Sequence, residues 1–315
     1  MKVFRLMKKS IWWVLAVALC FSAVFFVFPA LPYGQAQGEE TEKKVLRIWN
    51  VDTFEGGKGS RASFLNRVAT EFEKKKEGVI CMVSSKTIEG LKASLQEKDF
   101  PDMLSFGVGA GFAFDYCIGD VTPWYRGAYA IYSKTDDFSA LSANNCVLSK
   151  GGENLPLVAA AMHALSGEFV VEDATTAYVR FLNGDYKYLL GTQRDACRFS
   201  SRGVSVYCQP ISAFSDLFGY IGVTDEKNAI LCEEFIGHLT SQEKQKELDR
   251  LGLFSPKFTV YGGGEGVLSA LEETKAAYTS HLFASAEELA GLERCAREVL
   301  NGGNVKELKK FLKSL

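Results

Sequence analysis

The sequence predicts an α/β fold in which helices flank mainly parallel sheets. Apolar strand patterns at residues 45–51 and 79–83 alternate with amphipathic helix patterns at residues 61–75 and 88–96. A third strand pattern follows at residues 102–107. This βαβαβ order predicts a parallel sheet, because right-handed crossover helices bring successive strands side by side in one direction.

The N-terminal segment has the composition of a secretory signal. Basic residues precede an uncharged apolar run at residues 11–28, and Gly34-Gln35-Ala36 then offers small residues for cleavage. The run approaches the roughly 18-residue length that spans a bilayer, so residues 1–36 are a signal peptide or an uncleaved signal anchor. Both alternatives place the following chain outside the cytoplasm. Lipidation at Cys20 is disfavoured, because Leu19 stands where processing needs a small residue.

Composition argues against several classes of function. The formal net charge is −2 at pH 7, whereas proteins that bind nucleic acid carry basic patches. The cysteines after the export segment lack CxxC or Cys/His spacing, so we expect free thiols, no metal site and no cofactor. His163 lies in an apolar helix pattern and His238 ends an amphipathic one, where packing or capping is their usual role. No GxSxG nucleophile motif is present, and we expect no enzyme.

The strand at residues 45–51 leads into a loop of polar, aromatic and glycine residues, and a helix follows at once. Ligands bind at the carboxyl ends of strands in open α/β sheets, so this loop is the first candidate site. It is not a Walker A phosphate loop, because Gly59 follows Lys58 where that motif needs Ser or Thr. Ser60 is the expected N-cap of the helix. Lys58 and Arg61 beside that N-terminus form a candidate anion site.

The remaining patterns alternate between extended and helical segments. Extended segments are expected at residues 121–134, 186–190, 205–209 and 217–223. Helices are expected at residues 155–165, 174–182 and 227–239. Residues 133–152 are polar and irregular, which is typical of a loop or linker. Thr240 with Glu243, and Ser285 with Glu288, have the spacing of capping boxes.

Four parts of the chain carry a resemblance to a known family. The first part is the export segment with the strand and helix that follow it, and the second is the Pro-Asp strand at residues 100–104. The third part is residues 181–192, where a helix ends in a Gly turn and a strand follows. The fourth is the helix–Thr/Ser–helix stretch that ends in Gly252-Leu253-Phe254-Ser255-Pro256. On these residues the chain resembles the extracellular solute-binding proteins of ABC transporters, in their two-lobed, carbohydrate-type (type II periplasmic-binding) class. The four parts cover most of the exported chain.

The resemblance implies two lobes that close on a ligand by a hinge motion. Lobe 1 would hold residues 45–124 and 214–256, and lobe 2 would hold residues 125–213 and 257–315. Crossover strands at residues 121–129 and 208–214 would join them. The family is usually longer between residues 133 and 173, so a reduced second lobe is expected.

Cleft residues follow from the predicted strand ends. The polar set that would hydrogen-bond a ligand is Asp52, Glu55, Lys58 and Arg61. The aromatic set that would stack on a sugar is Trp49, Phe54, Phe106, Trp124 and Tyr125, with core packing as the alternative for Trp49. Gln193 and Arg194 would clamp from the opposite lobe. Structural alternatives remain for the charged residues, since Lys58 and Arg61 could pair with the acids of their own loop and Arg194 could pair with Asp195.

The function implied by the resemblance is extracytoplasmic solute binding for ABC-type import. A carbohydrate, neutral or acidic, would be the ligand and permease subunits the protein partners, with the membrane contacted through the N-terminal segment if it is uncleaved. One alternative is a surface protein that kept the fold and lost its transport ligand. The other is an exported carbohydrate-active enzyme in which Asp52 and Glu55 would act as paired carboxylates.

Overall fold

Two mixed β-sheets with helices on their faces form the part of the chain that can be described. The computed structural model describes residues 43–52, 59–215, 217–262, 266–274 and 280–315, and the predicted export segment lies outside these ranges. Each sheet has five strands, and the alternation of strands and helices confirms the predicted α/β class. Within the described ranges, no helix has both the length and the apolar composition needed to cross a membrane.

The elements have the following bounds. The strands are β1 Lys44–Val51, β2 Val79–Lys86, β3 Met103–Gly107, β4 Thr122–Arg126, β5 Tyr129–Ser133, β6 Cys146–Lys150, β7 Val170–Asp173, β8 Tyr188–Thr192, β9 Tyr207–Ile211 and β10 Phe218–Val223. The α-helices are α1 Arg61–Lys75, α2 Ile88–Gln96, α3 Pro156–Met162, α4 Ala174–Asn183, α5 Gln193–Ser201, α6 Ala229–Leu239, α7 Gln242–Lys246, α8 Val267–Glu272, α9 Ala286–Leu300 and α10 Val305–Ser314.

The first sheet has the strand order β2-β1-β3-β10-β4. Helix α1 covers one face with the apolar side chains that its sequence pattern predicts, Phe64, Leu65, Val68, Ala69 and Phe72. Ser60 is its N-cap, as expected, and accepts a hydrogen bond from the backbone N–H of Ser63 at 3.4 Å. Helix α2 covers part of the other face with Leu91 and Leu95.

The second sheet has the order β7-β6-β8-β5-β9. Strand β6 lies inside residues 133–152, so the prediction of an irregular loop there is wrong. Cys146, Val147 and Leu148 are fully buried, and β6 pairs with β7 and β8 in parallel. An apolar run this short does not stand out among polar neighbours, and only its pairing partners make it a strand.

Each sheet contains one strand that runs against the others. Strands β4 and β5 carry the chain from the first sheet to the second, and β9 and β10 carry it back. The reversed strands are β5 and β10, by which the chain enters each sheet. Each sheet is therefore mixed, with one antiparallel strand among parallel ones.

Several helix ends follow their predicted signals. Gly184 ends α4 in the left-handed region at φ 86°, and Ser285 with Glu288 forms the predicted capping box of α9. The capping box expected at Thr240 is wrong by one residue. Ser241 is the N-cap of α7 and accepts from the N–H of Lys244, because Thr240 still belongs to the last turn of α6, with its N–H bonded to the carbonyl of Ile236.

Six cysteines of the described ranges are free thiols, in keeping with the prediction from sequence. They are Cys81, Cys117, Cys146, Cys208, Cys232 and Cys295. Burial raises the pKa of the Cys146 thiol to about 12, which suppresses the reactive thiolate form at neutral pH.

Candidate functional site

A small cavity lies where the two sheets face each other. Its walls come from the starts of α1 and α5, from the loop after β3, from β4 and β10, and from the turn before α3, through residues that include Arg61, Tyr125, Asn154 and Gln193. The space open to the centres of water molecules is about 20 Å³. That is room for about one or two waters, so the walls are nearly closed on each other.

Arg61 and Tyr125 form the wall on the side of the first sheet. Both are buried, at 5% and 4% exposure, and the Arg61 guanidinium donates to the Tyr125 hydroxyl. The same guanidinium lies 5.2 Å from the centre of the Tyr125 ring. The site therefore presents a cationic group held by an aromatic side chain and a backbone carbonyl, that of Val51 at 3.4 Å.

Gly219 makes the position of Tyr125 possible. It faces Tyr125 across the β10–β4 ladder, and the phenol ring lies directly over it. A Cβ at Gly219 would stand 1.8 Å from Tyr125 Cε1, which no real contact reaches. The glycine thus lets the ring lie flat on the sheet and deliver its hydroxyl to Arg61.

Gln193 and Arg194 form the opposite wall, at the start of α5. Gln193 exchanges two hydrogen bonds with Ala128, which sits between crossover strands β4 and β5: its N–H donates to the Ala128 carbonyl, and its Oε1 accepts from the Ala128 N–H at 2.9 Å. Arg194 reaches across to the first sheet and donates to the carbonyls of Leu251 and Gly59, each at 3.1 Å. These contacts hold the two walls together.

The fold can be compared with solved structures. The maltose-maltodextrin binding protein of Alicyclobacillus acidocaldarius is 10% identical, with a TM-score of 0.58 over 86% of this chain and 100% of that one. The sugar-binding protein MalE from Xanthomonas citri is 11% identical, with a TM-score of 0.57 over 86% and 96%. Iron-bound HitA from Pseudomonas aeruginosa is 15% identical, with a TM-score of 0.54 over 80% and 99%.

The chain has the fold of two-lobed solute-binding proteins. This confirms the fold class that the resemblance implied. No protein-family model and no curated protein sequence matches the chain, so the similarity is one of architecture. We call the first sheet with its helices the first lobe, and the second sheet with its helices the second lobe.

The solute-binding fold places the predicted site residues in different surroundings. Arg61, Tyr125 and Gln193 line the interlobe cavity, and Arg194 bridges the lobes beside it. Trp124 is fully buried and donates from its indole N–H to Ser105 at 3.1 Å, inside the first lobe.

Five further predicted residues lie away from the cavity walls or outside the described ranges. Phe106, at 2% exposure, packs in the first lobe with Tyr220. Stacking of Trp124 or Phe106 on a solute therefore remains a prediction. Asp52 is exposed at the end of β1. The loop residues Phe54, Glu55 and Lys58 lie outside the described residues.

Asn154 is a wall residue that sequence reasoning missed. It precedes α3 in the second lobe and is 3% exposed. The turn Gly151-Gly152-Glu153-Asn154 before Pro156 at the helix start was a usable signal, because the N-terminal ends of helices in α/β lobes face the ligand side of the sheet. Helix α5 was also missed, although Thr192 and Asp195 form its capping box.

A cluster of three glutamates elsewhere has the composition of a metal site, but a lysine already lies among its carboxylates. Oxygen atoms of Glu71, Glu243 and Glu247 lie close together among the described residues. The ammonium of Lys244 occupies the space between them, 2.7 Å from Glu247 and 3.1 Å from Glu243, and it also bonds Glu71. The cluster is therefore an ion-pair network around one buried ammonium, with partly exposed carboxylates.

Asp195→Asn is expected to stabilise the protein at pH 7 by about 1–2 kcal/mol. Burial raises the Asp195 pKa from 3.8 to about 6. The folded state consequently binds the proton more tightly than the unfolded state, and stability falls as pH rises from about 4 to 6. The neutral amide keeps an oxygen for the Thr192 N–H and removes this loss. The attraction of Arg198, 3.9 Å away, offsets part of the gain.

Urea unfolding at pH 4, 5, 6 and 7 measures this difference between wild type and variant. The advantage of the variant should grow with pH across that window and vanish at its lower end. Asp115→Asn, at an exposed aspartate, is the matched control and should show no such growth. A variant advantage that is independent of pH would contradict the assignment of the effect to the Asp195 carboxyl.

Proposed function

We propose that the chain is an extracytoplasmic solute-binding protein, without enzymatic activity, that captures a small solute between its lobes for ABC-type import. The observation that carries this proposal is the convergence of polar side chains from both lobes on one cavity. Arg61 and Tyr125 come from the first lobe, and Asn154 and Gln193 from the second. Such a site is complete only when the lobes are together.

Closure would proceed by rotation about the crossover strands. Gln193 is tied to Ala128 in the first crossover, and Arg126 beside it donates to the carbonyl of Ser255 at 3.2 Å. These bonds stiffen the hinge, while the bonds of Arg194 to Leu251 and Gly59 form between the lobes. A solute that contacts both walls binds the closed state better than the open state and shifts the population towards it.

The names of the structural neighbours support this function in general terms. One neighbour is a maltose-maltodextrin binding protein, another is a sugar-binding protein, and the third was solved with iron bound. A carbohydrate, the class expected from the sequence, is therefore one candidate among several. Permease subunits of an ABC transporter are the proposed protein partners, and residues 1–36 would direct export or anchor the chain to the membrane.

A solute panel tests the proposal on the purified protein. Sugars, oligosaccharides and small anions are added in turn, and the midpoint of thermal unfolding is recorded. A cognate solute at about 100 times its dissociation constant should stabilise the folded state by about 2.7 kcal/mol, which raises the midpoint by several degrees. The same solute should shorten the distance between fluorophores placed at Asn66 in the first lobe and Asn183 in the second.

The alternative is a protein that kept the fold without a transported solute. The bonds of Arg194 to Leu251 and Gly59 favour it, since the chain itself supplies contacts that hold the two lobes together. This alternative is supported if no solute in a broad panel changes the unfolding midpoint or the interlobe distance. Turnover of any sugar would instead contradict the non-enzymatic proposal.

A further inference from the structure

Gln193 turns its amide NH2 group towards the cavity. Its Oε1 accepts from the backbone N–H of Ala128, which fixes the orientation of the amide, because an NH2 group there would face another donor. Nε2 therefore lies on the other side. Gln193 is only 1% exposed and lines the cavity. Within the described residues Nε2 has no hydrogen-bond partner, so the cavity receives an unpaired donor.

Asn154 offers a second donor of the same kind. Its Oδ1 accepts from the backbone N–H of Gly151 at 3.0 Å, so its Nδ2 also points away from the backbone. The side chain is 3% exposed and lines the same cavity. No partner for Nδ2 is found in the described part of the chain. Both side chains are almost completely buried, so an acceptor atom bound in the cavity would give these donors a hydrogen bond that little water can supply.

The charges around the cavity and its small size indicate which acceptor groups can bind there. Arg61 lines the same cavity from the first lobe, and guanidinium groups pair best with planar or tetrahedral oxyanions. The carboxylate of Glu153 also borders the cavity, but its side chain is exposed, so water screens its charge. The space of about 20 Å³ for water centres fits a small polar group, not a stacked sugar ring.

We propose that the solute presents a small oxyanion, a carboxylate or an inorganic oxyanion, to Gln193 Nε2, Asn154 Nδ2 and the Arg61 guanidinium. This inference rests on the proposed function and names the chemical class of its ligand. The amides come from the second lobe and the guanidinium from the first, so the oxyanion bridges the lobes. Neutral donors with one cation bind an anion without needing a second buried charge, which limits the desolvation cost.

The first test compares anions with a neutral sugar. Phosphate, sulfate, acetate and maltotriose are each titrated into the purified full chain by calorimetry and by thermal unfolding at constant ionic strength. We expect binding of at least one anion and none of maltotriose. Binding of maltotriose alone would overturn the oxyanion assignment while leaving the solute-binding function intact. Binding of neither class, in this and a broader panel, would overturn the proposed function itself.

The second test replaces an amide side chain with a carboxylate of nearly the same shape. Asn154→Asp keeps an oxygen for the Gly151 N–H and replaces the NH2 donor with a carboxylate oxygen. Affinity for the bound anion should fall about 10- to 100-fold. Gln193→Glu makes the same exchange at the other donor and should act in the same direction. Asn183→Asp, at an exposed position in the second lobe, adds the same charge and should leave the affinity unchanged.

Thermal unfolding in the absence of anion checks that each variant folds. Anion affinity unchanged in both folded variants would overturn the assignment of these donors. An equal loss in Asn183→Asp would also overturn it, since the effect would then reflect net charge and not the cavity.

Discussion

Replacing Lys244 by alanine should lower the free energy of unfolding by about 3 kcal/mol. The ammonium is 3% exposed and bonds Glu71 of α1, Glu243 and Glu247. Removing it leaves Glu71 and Glu243 without their shared cation at the contact between α1 and α7, although Glu247 keeps Arg67 at 3.0 Å. This loss in the free energy of unfolding is at the lower end of what breaking a buried ion pair usually costs, because the three carboxylates are partly exposed.

Urea unfolding at pH 7 measures this loss, and Lys246→Ala is the matched control. Lys246 is the exposed lysine on the same helix, so its removal should change stability by less than about 0.5 kcal/mol. Equal effects of the two substitutions would contradict the role given to the buried ammonium.

The Lys244 effect should also depend on pH. The hydrogen bond from Lys244 lowers the Glu71 pKa from its ordinary value of 4.5, although burial acts the other way. A lowered pKa contributes stability that is present above the unfolded-state value and is lost as pH falls below it. The difference between wild type and Lys244→Ala should therefore shrink between pH 5 and pH 3.

Replacing Gly219 by alanine should destabilise the protein by about 3 kcal/mol, at the upper end of overpacking effects. The new methyl group would stand 1.8 Å from Tyr125 Cε1 and 2.2 Å from Cζ. The ring must leave its place on the sheet, and its hydroxyl then moves away from Arg61. We expect the affinity for the bound solute to fall together with stability, because the first-lobe wall of the cavity is displaced.

Gly237→Ala separates this effect from a general effect of glycine replacement. Gly237 lies in α6 with open space around its Cβ position, so alanine there should stabilise the helix by about 0.5–1 kcal/mol. The two Gly→Ala variants should thus change the unfolding midpoint in opposite directions. A neutral Gly219→Ala variant would show that Tyr125 does not need its present position.

Local signals predicted the elements whose sequence pattern is long. Helix α1 shows five apolar side chains at helical spacing and a serine cap, and its predicted bounds, residues 61–75, are those of the structure. Strand β6 was missed because its buried run, Cys146 to Leu148, is too short to show a period. Helix α5 was missed because Gln193, Arg194 and Asp195 look like a polar loop, yet all three are buried.

The candidate site was predicted in part, since strand ends identify which residues can reach a cleft but not which way they point. Arg61, Tyr125 and Gln193 line the cavity, whereas Trp124 packs inside the first lobe. The sequence could not separate Tyr125 from Trp124, because neighbouring residues of a strand point to opposite faces. The face that turns to the cavity is set by the register of β4 on β10.

The sequence by itself determined the α/β class, most helix and strand positions and the resemblance to two-lobed solute-binding proteins, because these depend on residues close together in the chain. Only the tertiary structure showed that Asn154, Gln193 and Arg61 line one cavity. Asn154 and Arg61 are more than 90 residues apart in the sequence. The tertiary structure also decided which atom of each amide is bonded to the backbone, since the N–H groups of Gly151 and Ala128 donate to the two side-chain oxygens. Such pairings depend on how the two sheets come together, and no local pattern records them.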